Sequence, residues 1–391
     1  MTAAGGVLAE APSPRGARLE AAELVGGVLT HAPDGDGLRF LPALDRLCSA
    51  ISDEARLTEA GRRSTQRALV SALVLQLRLH RLLERHPEIE RLPLDGPLVV
   101  VGLFRTGTTL LQNLLAQHPD VRVPQLWELM HPISRDGSAA ERARLIRVTQ
   151  AYVQAYYRAA PAFRAIHYLD AELPEECHRL IATTFTSDIY PLRYRIPSYV
   201  DWLAGQDMRR PYAFHRTLLR CLLWRDPGGH VALKCPTHLW HLDALAATYP
   251  HGRLVRLHRD PVAAITSACS LTAVVRSARS AEVDRAEIGR YWTERAEAAI
   301  GPARRSGDVH GLPVLDLRYD DVVGDPLAAV ASVCEFAGIR WTGAAEKRVR
   351  RFLERNPKGR HGRHRYTPEE FGVSRAELEE RLGDYRKEFE L

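Results

Sequence analysis

Apolar positions along the chain follow two different rhythms. Between residues 18 and 92 they recur at helical spacing. Leu69, Leu73 and Leu77, with Val70 and Val74, share one face, and Arg67, Arg78, Arg81 and Glu84 lie off it. This predicts helices that pack through one stripe. The last of them should end at His86-Pro87, because proline disfavours helical backbone in the residue before it. From Pro97 onward, short aliphatic runs replace the stripe. Residues 97–102, 230–234, 253–258 and 313–317 predict strands, each followed by helical sequence. That alternation implies a parallel sheet covered by helices. Residues 137–229 interrupt it with helical stretches and many aromatics, among them Tyr152, Tyr156, Phe163, Tyr190 and Trp202. The interruption reads either as a lid over the ligand face or as ordinary helical core. The expected organisation is an α/β domain over 96–391 and a helical extension over 18–95 packed on it. Residues 1–17, rich in Ala, Gly and Pro, are expected to be disordered.

The strongest chemical signal follows the first predicted strand. Val99, Val100 and Val101 suit a strand buried on both faces. The loop Gly102-Leu-Phe-Arg-Thr-Gly107 then has the glycine spacing of a P-loop. Its glycines let successive N–H groups point into one concavity. A helix starting at Thr108 brings its positive dipole end to the same point. Arg105 adds a permanent forked cation, and Thr106, Thr108 and Thr109 add hydroxyls. A phosphate-type ligand is expected. The lysine that follows the second glycine of an ATP-binding P-loop is absent, which argues against an ordinary Mg-ATP site.

Three further segments carry cations toward the same side. His230-Val-Ala-Leu-Lys234 is a short strand ending in a lysine, which is either a ligand-side cation or a snorkelling surface group. Gly252 to His258 is another strand. Arg259 stands at its carboxyl end, Asp260 is placed to cap the next helix, Pro261 suits its first turn, and Ser267 lies two turns in. Lys358-Gly-Arg-His-Gly-Arg-His-Arg-Tyr366 is a basic, glycine-containing loop. Arg360 and Arg363 in it would suit a phosphate, but a solvated loop or a nucleic-acid contact fits the pattern equally.

The segment Gly-Leu-Phe-Arg-Thr-Gly-Thr-Thr resembles the 5′-phosphosulfate loop of sulfotransferases that use 3′-phosphoadenosine 5′-phosphosulfate (PAPS), in the form found in bacterial members and tyrosylprotein sulfotransferases. The resemblance spans roughly residues 60–391. It implies a P-loop-like parallel sheet flanked by helices, and PAPS as donor with PAP as product. It also implies that Arg105, Thr106, Gly107, Thr108 and Thr109 hold the phosphosulfate. Arg259 and Ser267, eight positions apart, match the pair that holds the 3′-phosphate in the family. Lys234 matches the lysine that approaches the transferring group. Relatives close the nucleotide site with a basic segment like the one containing Arg360 and Arg363. No metal is required. For a general base the family suggests Glu128, near the distance of the glutamate in tyrosylprotein sulfotransferases, or His238, shortly after the lysine. Glu175, Glu176 and His178 from the interruption are a third possibility.

Composition narrows this only a little. The net charge of +6 suits a nucleotide, and arginines are spread along the chain, which weakens a nucleic-acid partner. Six scattered cysteines without a CxxC pair suggest reduced core residues and a cytoplasmic protein. No stretch is long and apolar enough for a stable membrane span, and no secretory signal is evident. The acceptor expected from the resemblance is a small molecule, a sugar or a lipid. Two rival readings are a nucleoside-triphosphate phosphotransferase and a non-catalytic nucleotide-binding protein.

Overall fold

In the computed structural model the strands β1 (Leu98–Gly102), β2 (Val121–Arg122), β3 (His230–Lys234), β4 (Arg253–His258) and β5 (Val314–Arg318) form one parallel sheet in the order β2-β3-β1-β4-β5. The structure describes residues 18–30, 37–94, 96–303, 309–357 and 366–391. The four predicted strands are present within a residue of their expected bounds. β2 is an addition: two residues are too short to produce an apolar run.

β1 lies at the centre and all five of its residues are buried. Side chains alternate across a strand. Val99 and Val101 therefore face one core, shared with residues of the N-terminal helices and of the interruption. Leu98 and Val100 face a second core with Leu111, Leu114, Val330 and Val333. Both faces are covered, which is why the strand reads as an unbroken apolar run.

The N-terminal region forms α1 (Ala21–Leu29), α2 (Leu41–Glu54) and α3 (Glu59–Arg85). The Thr58 hydroxyl caps α3 by accepting from the Gly61 amide at 3.0 Å. The predicted stripe is its core face, with Leu69, Leu73 and Leu77 all buried. These helices have no core of their own. Their apolar faces join the same cluster as Val99 and Val101.

After β1 come α4 (Thr108–Leu115) and α5 (Leu126–Met130). The interruption folds as α6 (Ala139–Ala159), α7 (Phe163–Ile166), α8 (His178–Ala182), α9 (Ile189–Arg193), α10 (Pro197–Ala204) and α11 (Arg209–Arg225). Its aromatics divide between the two roles considered for them. Tyr199 and Tyr212 are buried core, whereas half-buried Tyr152 and Tyr156 and buried Tyr190 line a cavity. α12 (Leu242–Thr248) connects β3 to β4, and α13 (Pro261–Ser277) and α14 (Arg285–Ala303) lead to β5. The chain closes with α15 (Tyr319–Gly324), α16 (Pro326–Ala337), α17 (Gly343–Arg355), α18 (Arg375–Arg381) and α19 (Gly383–Glu388). Phe389, just after α19, stacks on His258 at the end of β4, with ring centroids 3.6 Å apart. Among the described residues no helix is long and apolar enough to cross a membrane.

Candidate active site

β1 ends by delivering the glycine loop to the carboxyl edge of the sheet, where ligands bind in open α/β folds. Gly107, the residue before α4, has φ of 90°, and a Cβ there would lie 2.9 Å from the Tyr319 ring. Only glycine meets both conditions. Arg105 adopts φ of 68°, a left-handed conformation uncommon for a residue with a side chain. It is held at both ends. Its Nη1 donates to the Ile166 carbonyl at 2.6 Å, and its own carbonyl accepts from Arg259 Nη1 at 2.7 Å. Its Nε is buried and has no protein partner. Burial pushes the guanidinium pKa down and nearby Arg259 does the same, against the opposing influence of Tyr366, Tyr319 and Glu176. Those neighbours mark where the loop, β4, β5 and the interruption converge.

The loop threonines separate in role. Thr106 was expected to offer its hydroxyl to a ligand. It is instead fully buried and donates to the Leu103 carbonyl at 2.7 Å, which closes the loop. Thr108 and Thr109 open α4, and Thr109 Oγ1 accepts from Lys234 Nζ at 3.3 Å.

Lys234 ends β3, paired in register with Val100. Its ammonium donates to Glu176 Oε1 at 2.7 Å and is 1 % exposed. The segment carrying Glu176 is positioned by backbone pairing. Cys177 donates its amide to the Lys234 carbonyl, Glu175 donates to the Pro124 carbonyl, and Leu126 and Trp127 donate to Leu173 and Ala171. Burial pushes the Glu176 pKa up, but the Lys234 ammonium and His178 outweigh it and hold the carboxyl well below its ordinary value. His167 does the same for Glu175 through a 3.1 Å contact. His178 Nδ1 lies 3.0 Å from Glu176 Oε2, and burial pushes that imidazole down to about 4, so it is neutral at pH 7. Glu176, His178 and Cys235 bring three ligand-type atoms within 4.8 Å of one another. The cation on Glu176 is already Lys234, however, and burial raises the Cys235 thiol to about 12, so it stays protonated.

Two base candidates have other partners. Glu128 binds Arg122 through both carboxylate oxygens and accepts the Gln125 amide at 2.7 Å, as the third residue of α5. It lines a different cavity, with Trp127, His131 and Glu141. His238 is fully buried, and both ring nitrogens are occupied: Nε2 contacts Cys177 Sγ at 3.1 Å and Nδ1 contacts the Tyr212 hydroxyl at 2.6 Å. Neither residue contacts Lys234 or the loop threonines through these partners. The third candidate set is the one that the structure brings to Lys234.

On the other side of the loop, Arg259 lies over the Tyr319 ring at 4.2 Å while holding the Arg105 carbonyl. Asp260 accepts from the Val262 amide, and Pro261 begins α13, as the sequence predicts. Ser267 Oγ accepts from the Tyr366 hydroxyl at 2.5 Å. Tyr319 and Tyr366 were not singled out from sequence. The only signal for them was position, at the end of β5 and directly after the basic segment. Arg360 and Arg363 lie outside the described residues.

A family model described as the sulfotransferase family matches residues 97–343. Two curated proteins are similar: the omega-hydroxy-beta-dihydromenaquinone-9 sulfotransferases Stf3 of Mycobacterium tuberculosis (strain CDC 1551 / Oshkosh) and Mycobacterium bovis. Each is 22% identical over 312 residues, covering 74% of this chain and 74% of the relative. Among solved structures, sulfotransferase STF1 from M. tuberculosis H37Rv aligns with a TM-score of 0.79 at 28% identity, over 93% of this chain and 98% of that one. Sulfotransferase STF9 from Mycobacterium avium shares the fold, with a TM-score of 0.80 at 24% identity over 97% and 99%.

Proposed function

The chain belongs to the sulfotransferase family, and from that premise we propose that it transfers a sulfuryl group from PAPS to a hydroxyl of a lipid-like acceptor, releasing PAP. The observation that carries this reading is Lys234 Nζ, placed between Thr109 of the phosphate loop and the Glu176 carboxylate. The unpartnered Nε of Arg105 and the left-handed backbone of Gly107, which turns the loop into α4, fit an oxyanion at the loop. In this reading Arg259 and Ser267 would take a second phosphate, the feature that distinguishes PAPS from ATP. The names of the curated relatives, which specify a hydroxylated menaquinone derivative, support a lipid acceptor.

PAPS supplies an activated sulfuryl group on a phosphate leaving group. The protein's contribution is positioning and charge. Arg105, Lys234 and the amides opening α4 hold the donor's oxygens and stabilise the negative charge that develops on the 5′-phosphate. Glu176 receives the proton of the attacking hydroxyl. It is ionised at neutral pH, and Lys234 beside it links the base to the group being transferred.

The test is a thermal-shift titration with PAP, and with ATP with and without magnesium, followed by transfer of label from PAPS to hydroxylated lipids. Stabilisation by PAP without metal, lost in Arg259→Ala, is the expected result. Stabilisation by Mg-ATP alone would overturn the donor assignment.

A further inference from the structure

A cavity of about 620 Å³ lies between α3, α6, α8 and α9, a volume in the range of small-molecule sites. Ala68 and Ala72 of α3, and Ala155 and Ala159 of α6, line it at a spacing of four, which places each pair on one helix face. Larger side chains at these positions would fill the space. The cavity leads inward to a smaller one of about 70 Å³, lined by Phe104 of the phosphate loop, His167, Glu175, Glu176 and His178. Tyr152, Tyr156, Arg179, Arg193 and Arg279 line both, so they form the neck between the large cavity and the candidate reaction centre.

Three guanidiniums at the mouth of an apolar cavity require an explanation. None of Arg179, Arg193 and Arg279 forms an ion pair with a carboxylate among the described residues. Arg279 donates to the Val275 carbonyl at 3.0 Å and lies over the Tyr156 ring at 5.2 Å. Arg179 has a buried Nε with no partner. The nearest acids on the inner side are Glu175 and Glu176, bound to His167 and Lys234. Glu175 and Glu176 act on Arg179 through space, but three guanidiniums half-withdrawn from water with no direct carboxylate contact still favour an anion at the same place. Tyr152 reports this field. Burial would raise its phenol, yet Arg179, Arg193 and Arg279 hold it below its ordinary value.

We propose that the neck is an anion-binding collar and that the acceptor is an anionic amphiphile. Its apolar chain occupies the cavity against α3, and its phosphate or carboxylate oxygens sit on Arg179, Arg193 and Arg279. The accepting hydroxyl, close to that head group, faces Glu176 and Lys234. This rests on the sulfuryl-transfer reading only for what happens to the hydroxyl; the collar is a binding site in its own right.

The test is therefore a binding measurement. The full-length protein, with and without PAP, is titrated with dodecyl phosphate and with neutral 1-O-dodecylglycerol, both below their micelle concentrations. The phosphate amphiphile should bind at least tenfold more tightly. Arg193→Gln and Arg279→Gln should each remove at least threefold of that preference and leave the affinity for the neutral amphiphile and the thermal shift by PAP unchanged. Ala72→Trp should weaken both amphiphiles. Equal affinities in the unsubstituted protein, or no binding of either, would overturn the collar whatever the variants do. So would a preference that survives both arginine substitutions. A preserved preference without any stabilisation by PAP would leave the collar standing and remove the donor assignment.

Discussion

Lys234 Nζ stands 2.7 Å from Glu176 Oε1 and 3.3 Å from Thr109 Oγ1, joining the end of β3, the interruption and the helix that follows the phosphate loop. Both charges are almost wholly buried, so each depends on the other. Removing one partner of such a pair leaves an uncompensated charge and costs about 3–5 kcal/mol, whereas replacing both with neutral groups is far milder. Lys234→Ala should therefore lower stability in urea unfolding by that amount and abolish turnover. Lys234→Met combined with Glu176→Gln should regain most of the stability and none of the activity. A Lys234→Ala protein with near-normal turnover would remove the lysine from the site.

Glu176 and Glu128 make opposite predictions. Glu176→Gln takes away the proton acceptor but keeps the shape, so kcat should fall by about 10²–10⁴ while PAP binding persists. Glu128→Gln weakens the Arg122 pair and the Gln125 contact, and should cost about 1–3 kcal/mol of stability. Its turnover at a temperature where it is folded should stay within about threefold of the unsubstituted protein, since a surviving fold leaves the Lys234 cluster intact. A hundredfold loss in Glu128→Gln at unchanged stability would return the base to Glu128.

The contrast between these glutamates shows what the chain reveals by inspection. The strand–loop–helix around Gly102 and Gly107 was legible because a local pattern determines it: a β-branched run, glycines at fixed spacing, hydroxyls and a cation. Arg259-Asp-Pro was legible for the same reason, as a cap at a strand end. Lys234 was found as a cation ending an apolar run. Its partner Glu176 was one of several acids, because what brings it there is pairing of residues 124–127 with 171–175, roughly fifty residues apart. Such non-local pairing leaves no periodic mark. Glu128 was favoured by its distance along the chain from the loop, but Arg122, six residues before it, had already claimed its carboxylate. His238 was similarly drawn by proximity to Lys234, while Cys177 and Tyr212, remote in sequence, enclose it.

Arg259 has two tasks, and they separate experimentally. Its Nη1 holds the carbonyl of Arg105, whose backbone sits in the left-handed region, and its guanidinium lies on Tyr319. Arg259→Ala should abolish the thermal shift by PAP and also loosen the loop. Tyr319→Leu keeps the arginine but removes the ring that orients it, a cation–π contact worth about 0.5–2 kcal/mol. Its PAP affinity should fall by roughly three- to thirtyfold, since about 1.4 kcal/mol is tenfold. Unchanged affinity in Tyr319→Leu would mean that Arg259 is positioned by the Arg105 carbonyl alone.

Acid should destabilise this fold well before its carboxylates titrate. His215 is fully buried, shares a 2.7 Å hydrogen bond between its Nδ1 and the Tyr249 hydroxyl, and is pushed by burial down to about 3. His178 and His131 are pushed down to about 4 by burial as well. A histidine with a depressed pKa in the folded chain stays neutral there, while the unfolded chain binds a proton below about pH 6.5. Stability is then fully present above pH 6.5 and is lost as pH falls toward the folded value. Each such group contributes a slope of about 1.4 kcal/mol per pH unit. Three acting together should make urea midpoints fall steeply between about pH 6 and pH 4.5. His215→Gln removes one titrating group and keeps a partner for Tyr249. It should start from a lower stability at pH 7, because the packing is imperfect, yet lose less of it on acidification. Midpoint curves that run parallel for the two proteins from pH 7 to 4.5 would show that His215 is protonated inside the fold, and would place the source of acid sensitivity elsewhere.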